Sequence, residues 1–267
     1  MKQLLTFFTL AYLISWLIWL PLYGHILGLN NLPALPFQHA IGGLGPLIAS
    51  FLTTFIFFKK QGLKKLLVKC FKIKSLLYLA IALFSPFILA VIGVLINSVI
   101  NHSAINFTGL LSSKEFPQFN ILTIFIYNLV FFGFGEEVGW RGFALLRLQS
   151  KSNALTASLV LTAFWALWHL PLFFYRPGYT SMDMAAIFGW TFSLLTGGIL
   201  LTWLYNSSRA GILICAVFHS SIDIAFTADI AGKNIINYMG FLITVWGILT
   251  IIIFKPKNLA AIEREKA

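Results

Sequence analysis

The stretch ILTIFIYNLVFFGFGEEVGWRGFALLRL, residues 121–148, decides the fold. It opens with fifteen uncharged, mostly apolar residues and then places Glu136, Glu137 and Arg141 inside the same run. A charged residue at the centre of a bilayer costs about 2.5–3.5 kcal/mol on insertion-based scales, so charges in such a run usually face protein and usually serve a function. The run is overlong for one span, which predicts that it projects beyond the hydrocarbon or bends at its glycines.

The rest of the 267-residue chain has the same character. It is 59% hydrophobic and 10% charged, with a mean hydropathy of +0.87. Soluble domains carry about 25% charged residues, so too few are present to coat a water-facing surface. Seven further apolar segments, at about 4–23, 39–58, 75–98, 154–175, 185–205, 210–228 and 235–254, have lengths near the roughly 17–25 residues of a spanning helix. The reading is an all-α, polytopic membrane helix bundle of about eight transmembrane helices, one domain over residues 1–267. The first run lacks a small-residue cleavage site and reads as a retained anchor rather than a signal peptide.

The net charge of +11 raises the question of nucleic acid, but the basic residues lie between apolar runs instead of forming a binding face, so no nucleic-acid partner is expected. With the N-terminus inside, 16 of the 19 fall on the cytoplasmic side, Arg141 among them, and only Lys114, Arg176 and Lys233 fall opposite. Both termini are then cytoplasmic. The alternation of Leu, Val and Phe with Lys from Lys59 to Lys74 predicts an amphipathic helix on the anionic cytoplasmic leaflet. Few Arg and many Ile, Phe and Asn point to an AT-rich bacterial genome, hence a bacterial cell membrane. Cys70 and Cys215 are too few and too far apart for a disulfide framework or a thiolate metal site.

Three polar patches interrupt the hydrocarbon. In the first, helical spacing puts Glu137 and Arg141 one turn apart with the acid N-terminal, the favourable order for an ion pair. Glu136 is offset by about 100° toward Gly133 and Trp140, free to act as a base. Taken alone, the patch reads equally well as solvated charges at a helix end. In the second, Trp165 precedes His169 by one turn, and Pro171 just beyond is expected to bend or end the helix. A lone membrane histidine is more often a packing hydrogen-bond partner than a catalyst. In the third, His219 and Asp223 share a helix face, a pairing that fixes a tautomer for packing, proton transfer or metal binding. Gly135-x-x-x-Gly139 is a close-approach pattern and says nothing about chemistry.

Glu136-Glu137-x-x-x-Arg141, Trp165-x-x-x-His169 and His219-x-x-x-Asp223, in that order on successive helices, resemble the CPBP family of intramembrane proteases. That family includes type II CAAX prenyl endopeptidases and bacterial Abi or bacteriocin-immunity-related proteins. Trp165 stands where the family pattern has Phe, and the third motif is in its Asp form. The resemblance covers about residues 121–228. It implies hydrolysis of a peptide bond in a membrane-associated peptide or lipid-modified protein, in a site opening toward the cytoplasm. Glu136 and His169 would activate water, His219 and residue 223 would support the oxyanion, and Glu137, Arg141 and Trp165 would support the site. An ionised Asp223 would repel an oxyanion, so it is protonated, orients His219, or binds a metal. Zn²⁺ held by Glu136, His169, His219 and Asp223, or no metal at all, both stay open.

Two other classes compete: a non-enzymatic immunity or scaffold protein that binds a peptide, and a proton-coupled transporter using the acid–histidine chain as a relay. Intact motif residues speak against the first, missing repeat symmetry against the second. Read as a straight helix, His169 lies deep while Glu136 lies near the cytoplasmic end of its own helix, and the two depths conflict.

Overall fold

The apolar runs become helices because a chain in hydrocarbon must satisfy every backbone N–H and C=O within itself. The computed structural model describes residues 1–230 and 233–265; Lys266 and the side chain of Lys233, both counted above, lie outside the described residues. Among the described residues eight long helices form an up-and-down bundle: α1 (Lys2–Leu27), α2 (Gln38–Cys70), α3 (Leu76–Asn101), α4 (Ile121–Gln149), α5 (Ala154–Tyr175), α6 (Met184–Ser207), α7 (Ile212–Thr227) and α8 (Asn234–Asn258). Among the described residues there are no strands, only one isolated bridge between Ser113 and Ala228. The chain is an integral, multi-pass membrane protein.

Seven of the helices are long and apolar enough to cross a membrane. The eighth, α7, has 16 residues, about 24 Å of helix. It starts from a turn that is itself sunk into protein, with Ser208 and Ala210 buried, so α7 carries its polar residues at bundle depth without spanning alone. Two helices run past the expected ends of their apolar segments, and both break there. α2 kinks at Lys59 (φ 56°) and α8 at Lys255 (φ 61°), ahead of Pro256. Beyond Lys59 the lysine-rich stretch is helical, with Leu66 and Cys70 buried against the bundle and Lys60, Lys64 and Lys65 exposed.

The two ends of the bundle differ. At one end, polar contacts tie helix termini tightly together. Gln149 and Asn206 exchange side-chain hydrogen bonds at 3.1 and 2.8 Å, Asn206 donates to the Asn258 carbonyl at 2.7 Å, and Arg147 donates to Gln3 at 3.0 Å. Lys69 and Lys74 both pair with Glu265, at 3.0 and 3.2 Å. At the other end the connections roof a cavity. His39 meets the Tyr175 hydroxyl at 2.7 Å, and Arg176 grips Glu115 through both guanidinium nitrogens at 2.5 Å.

Candidate active site

α4 positions the first patch through an irregular backbone. Two π-helical turns, Leu129–Phe134 and Trp140–Leu145, flank the α-helical segment Gly135–Gly139 that carries Glu136 and Glu137. Such turns widen a helix locally and re-aim its side chains, and they recur at functional sites. Glycines bring the neighbours in. A Cβ on Gly139 would stand 2.5 Å from the Pro46 carbonyl oxygen, and one on Gly133 would stand 2.6 Å from that of Ala216. α4 is thereby wedged between α2 and α7 with backbone against backbone.

This packing settles the depth of the carboxylates. Glu136 and Glu137 are 3% and 0% exposed and Arg141 is 1% exposed, so the patch is no solvated helix end. Glu136 lies thirteen residues before Gln149 and His169 fifteen after Ala154, about 20 and 22 Å of helix from the same end of the bundle. The expectation that Glu136 sits near the end of its helix is corrected, and the depth conflict disappears. Arg141, counted with the cytoplasmic cations, is buried as well and has no bearing on topology.

Glu136 is held from two sides. Its Oε2 accepts the Trp165 indole N–H at 2.7 Å and the Trp140 indole N–H at 3.2 Å. Oε1 is left facing His219 Nε2 at 4.0 Å. Glu137 pairs with Arg141 at 2.8 Å as its spacing predicts, and the same oxygen accepts His219 Nδ1–H at 2.7 Å. Glu137 is therefore more than half of an ion pair. It fixes the tautomer of His219, one of the roles that the shared helix face left open for Asp223. Asp223 instead lies 3.6 Å from His219 Nε2, and with its side chain 36% exposed it stands on the cavity wall.

His169 closes the helical part of α5, where the turn before Pro171 ends the regular helix after Trp168 as expected. It donates Nδ1–H to the Trp165 carbonyl at 2.7 Å, which leaves Nε2 as the nitrogen with the free lone pair. Among the described residues His169 and Glu136 have no direct hydrogen bond or ion pair. They meet through Trp165, whose carbonyl holds one and whose indole holds the other. The imidazole nearest Glu136 is that of His219, a partner 83 positions away that sequence spacing could not supply.

Glu136, Trp165, His169, His219 and Asp223 line a cavity of about 760 Å³ that reaches to Lys114, Glu115 and Arg176. Its walls are aromatic. Tyr179 stacks on His169 with centroids 6.2 Å apart, and Trp190 meets the same imidazole edge-on at 5.8 Å. Neither was legible in a chain with 16% aromatic residues, and nor was His39 on the same wall. Chemically, the floor offers a buried carboxylate with a free oxygen, a lone-pair nitrogen at His169 and an imidazole whose second nitrogen points into the cavity. Among the described residues no three of His, Cys, Asp and Glu are grouped as a metal ion would require.

One comparison with known proteins covers this floor. A family model described as "Type II CAAX prenyl endopeptidase Rce1-like" matches residues 118–225, a segment that holds all three motifs. The match agrees with the resemblance carried by the three motifs. Over 129 residues the chain is 33% identical to a protein named CAAX prenyl protease 2 from Methanococcus maripaludis, an alignment covering 45% of this chain and 48% of the relative. The chain thus spans about half the length of the curated relative it matches.

Proposed function

We propose that the chain is an intramembrane endopeptidase that hydrolyses a peptide bond in a membrane-associated peptide or lipid-modified protein. The observation that carries the reading is Glu136: a carboxylate 3% exposed, oriented by two indole N–H groups through one oxygen, with the other free at the floor of a peptide-sized cavity.

Glu136 Oε1 takes the proton of a water held between it and His169 Nε2, and the hydroxide attacks the scissile carbonyl. Nδ1–H of His219 is committed to Glu137, so a protonated His219 presents Nε2–H to the oxyanion that forms. Asp223, 3.6 Å from that nitrogen, favours the imidazolium and keeps its ring turned to the cavity. Glu136 then passes the proton to the departing amine. The Glu137–Arg141 pair supplies a fixed charge that keeps His219 in register.

The test is peptide release from membranes carrying the full-length protein, read by mass spectrometry against Glu136→Gln, His169→Ala and His219→Ala. Removing a positioned base costs about 10²–10⁴-fold in rate, and each variant is expected to fall by that much while still extracting as a folded protein. Undiminished release by Glu136→Gln removes it from the role of base. Solute flux in liposomes, with no peptide released, favours the transporter instead.

A further inference from the structure

Among the described residues, the cavity reaches the connections at one end of the bundle, and the cations gather at the other. At the closed end lie Lys2, all seven lysines between Lys59 and Lys74, Arg147, Lys151, Arg209, Lys255, Lys257 and Arg264. The contacts of Arg147 with Gln3, of Lys74 with the Arg209 carbonyl, and of Arg264 with the Ser152 carbonyl place them together on that face. The mouth is built from the opposite connections: Ser113–Phe116, Arg176–Tyr179 and Thr227–Ala228. It carries Lys114 and Arg176, the second neutralised by its two-point grip on Glu115. The remaining basic position toward this end is Lys233, just ahead of α8. Arg141, spent on Glu137 inside the bundle, counts for neither face.

Lysine and arginine in short loops set which side of a membrane protein stays in the cytoplasm, because cations cross poorly during insertion and are drawn to the anionic inner leaflet. Every loop here is short. We infer that the closed, lysine-rich end is cytoplasmic and that the cavity mouth faces the opposite side, so the substrate is a peptide segment presented from the non-cytoplasmic face of the membrane. The substrate class follows for the hydrolytic reading above, on which that part rests: an exported or surface-anchored peptide with an apolar stretch suited to the aromatic walls. A lipidated C-terminus arriving from the cytoplasm would meet the closed end. The inference reverses the side implied by the family resemblance.

The orientation can be read without any catalysis. Asn30 and Ser181 are exposed on the mouth-side connections and Gln61 is exposed at the closed end. Asn30→Cys, Ser181→Cys and Gln61→Cys are introduced one at a time into the full chain expressed in bacterial cells. Cys70 and Cys215 are buried, and parallel sets are made with and without Cys70→Ser and Cys215→Ser so that a background that fails to fold does not silence the test. A membrane-impermeant maleimide is expected to label Asn30→Cys and Ser181→Cys in intact cells at least tenfold more than Gln61→Cys, which labels after permeabilisation. The reverse pattern, or equal labelling of all three, overturns the inference. Because labelling is indifferent to peptide release, a correctly oriented but inert protein sinks the protease reading alone, and a reversed but active one sinks the orientation alone.

Discussion

Trp165 meets four polar groups of the site at once. Its indole N–H reaches Glu136 and its carbonyl holds His169; its ring lies 4.8 Å from the Arg141 guanidinium and 5.6 Å from the His219 imidazole. A phenylalanine there, usual in the family that the motifs resemble, keeps the ring contacts and loses the donor. Hydrogen bonds to charged groups contribute about 1.5–3 kcal/mol. Trp165→Phe is therefore expected to retain the unfolding temperature within a few degrees yet lower peptide release about tenfold or more. Trp165→Ala, which also opens a void, is expected to lose about 3–5 kcal/mol of stability. Thermal unfolding in detergent beside the release assay separates the two effects. That the Trp165 indole would hold Glu136 was not legible, since its donor acts on another helix. The Glu137–Arg141 pair was legible, because both partners lie on one helix face.

Among the elements, α4 depends on two close approaches. A Cβ at Gly133 would sit 2.5 Å from Ser220 Oγ and 2.6 Å from the Ala216 carbonyl oxygen, and the latter is helix backbone that cannot swing aside. Forcing an extra methyl into such a contact costs about 1–3 kcal/mol. Gly133→Ala is expected to lower thermal stability by that amount and to push α7, with His219, away from Glu137. Gly189→Ala is the control: nothing lies within 4 Å of its would-be Cβ, and no measurable loss is expected. The glycines were read from sequence as a packing pattern. Which helix each would meet, and the π-helical turns on both sides of Glu136, depend on tertiary packing and leave no periodic trace.

For the molecule as a whole, the closed end is latched by Glu265 between Lys69 and Lys74. Burial alone would push this carboxyl up, but the two ammonium groups hold it below its ordinary value of 4.5. A carboxyl with a depressed folded value adds stability above its unfolded value, and that contribution is lost as pH falls through the folded one. The latch is thus expected to hold at neutral pH and to release as the pH drops below 4.5. High salt should loosen it too, since the pair is partly exposed and screened. Limited proteolysis of the 259–265 segment, run against pH and salt and compared with Glu265→Gln, checks this. A cleavage rate that is flat in pH and unchanged by the substitution counts against the latch.

Membrane class, the helices and their approximate ends, and the three ordered motifs could all be read from the amino-acid order, because hydropathy and helical period are local properties of the chain. Partner choice could not. Glu137 oxygens, the His219 ring, the Trp165 indole and the common depth of Glu136 and His169 are set by how α4, α5 and α7 pack, and packing in lipid is governed by shape and close contact, with no hydrophobic pattern to announce it. The position of the cavity relative to the lysine-rich face belongs to the same category: the charges were visible in the sequence, but the end at which the helices part was a matter of side-chain volume in the folded bundle.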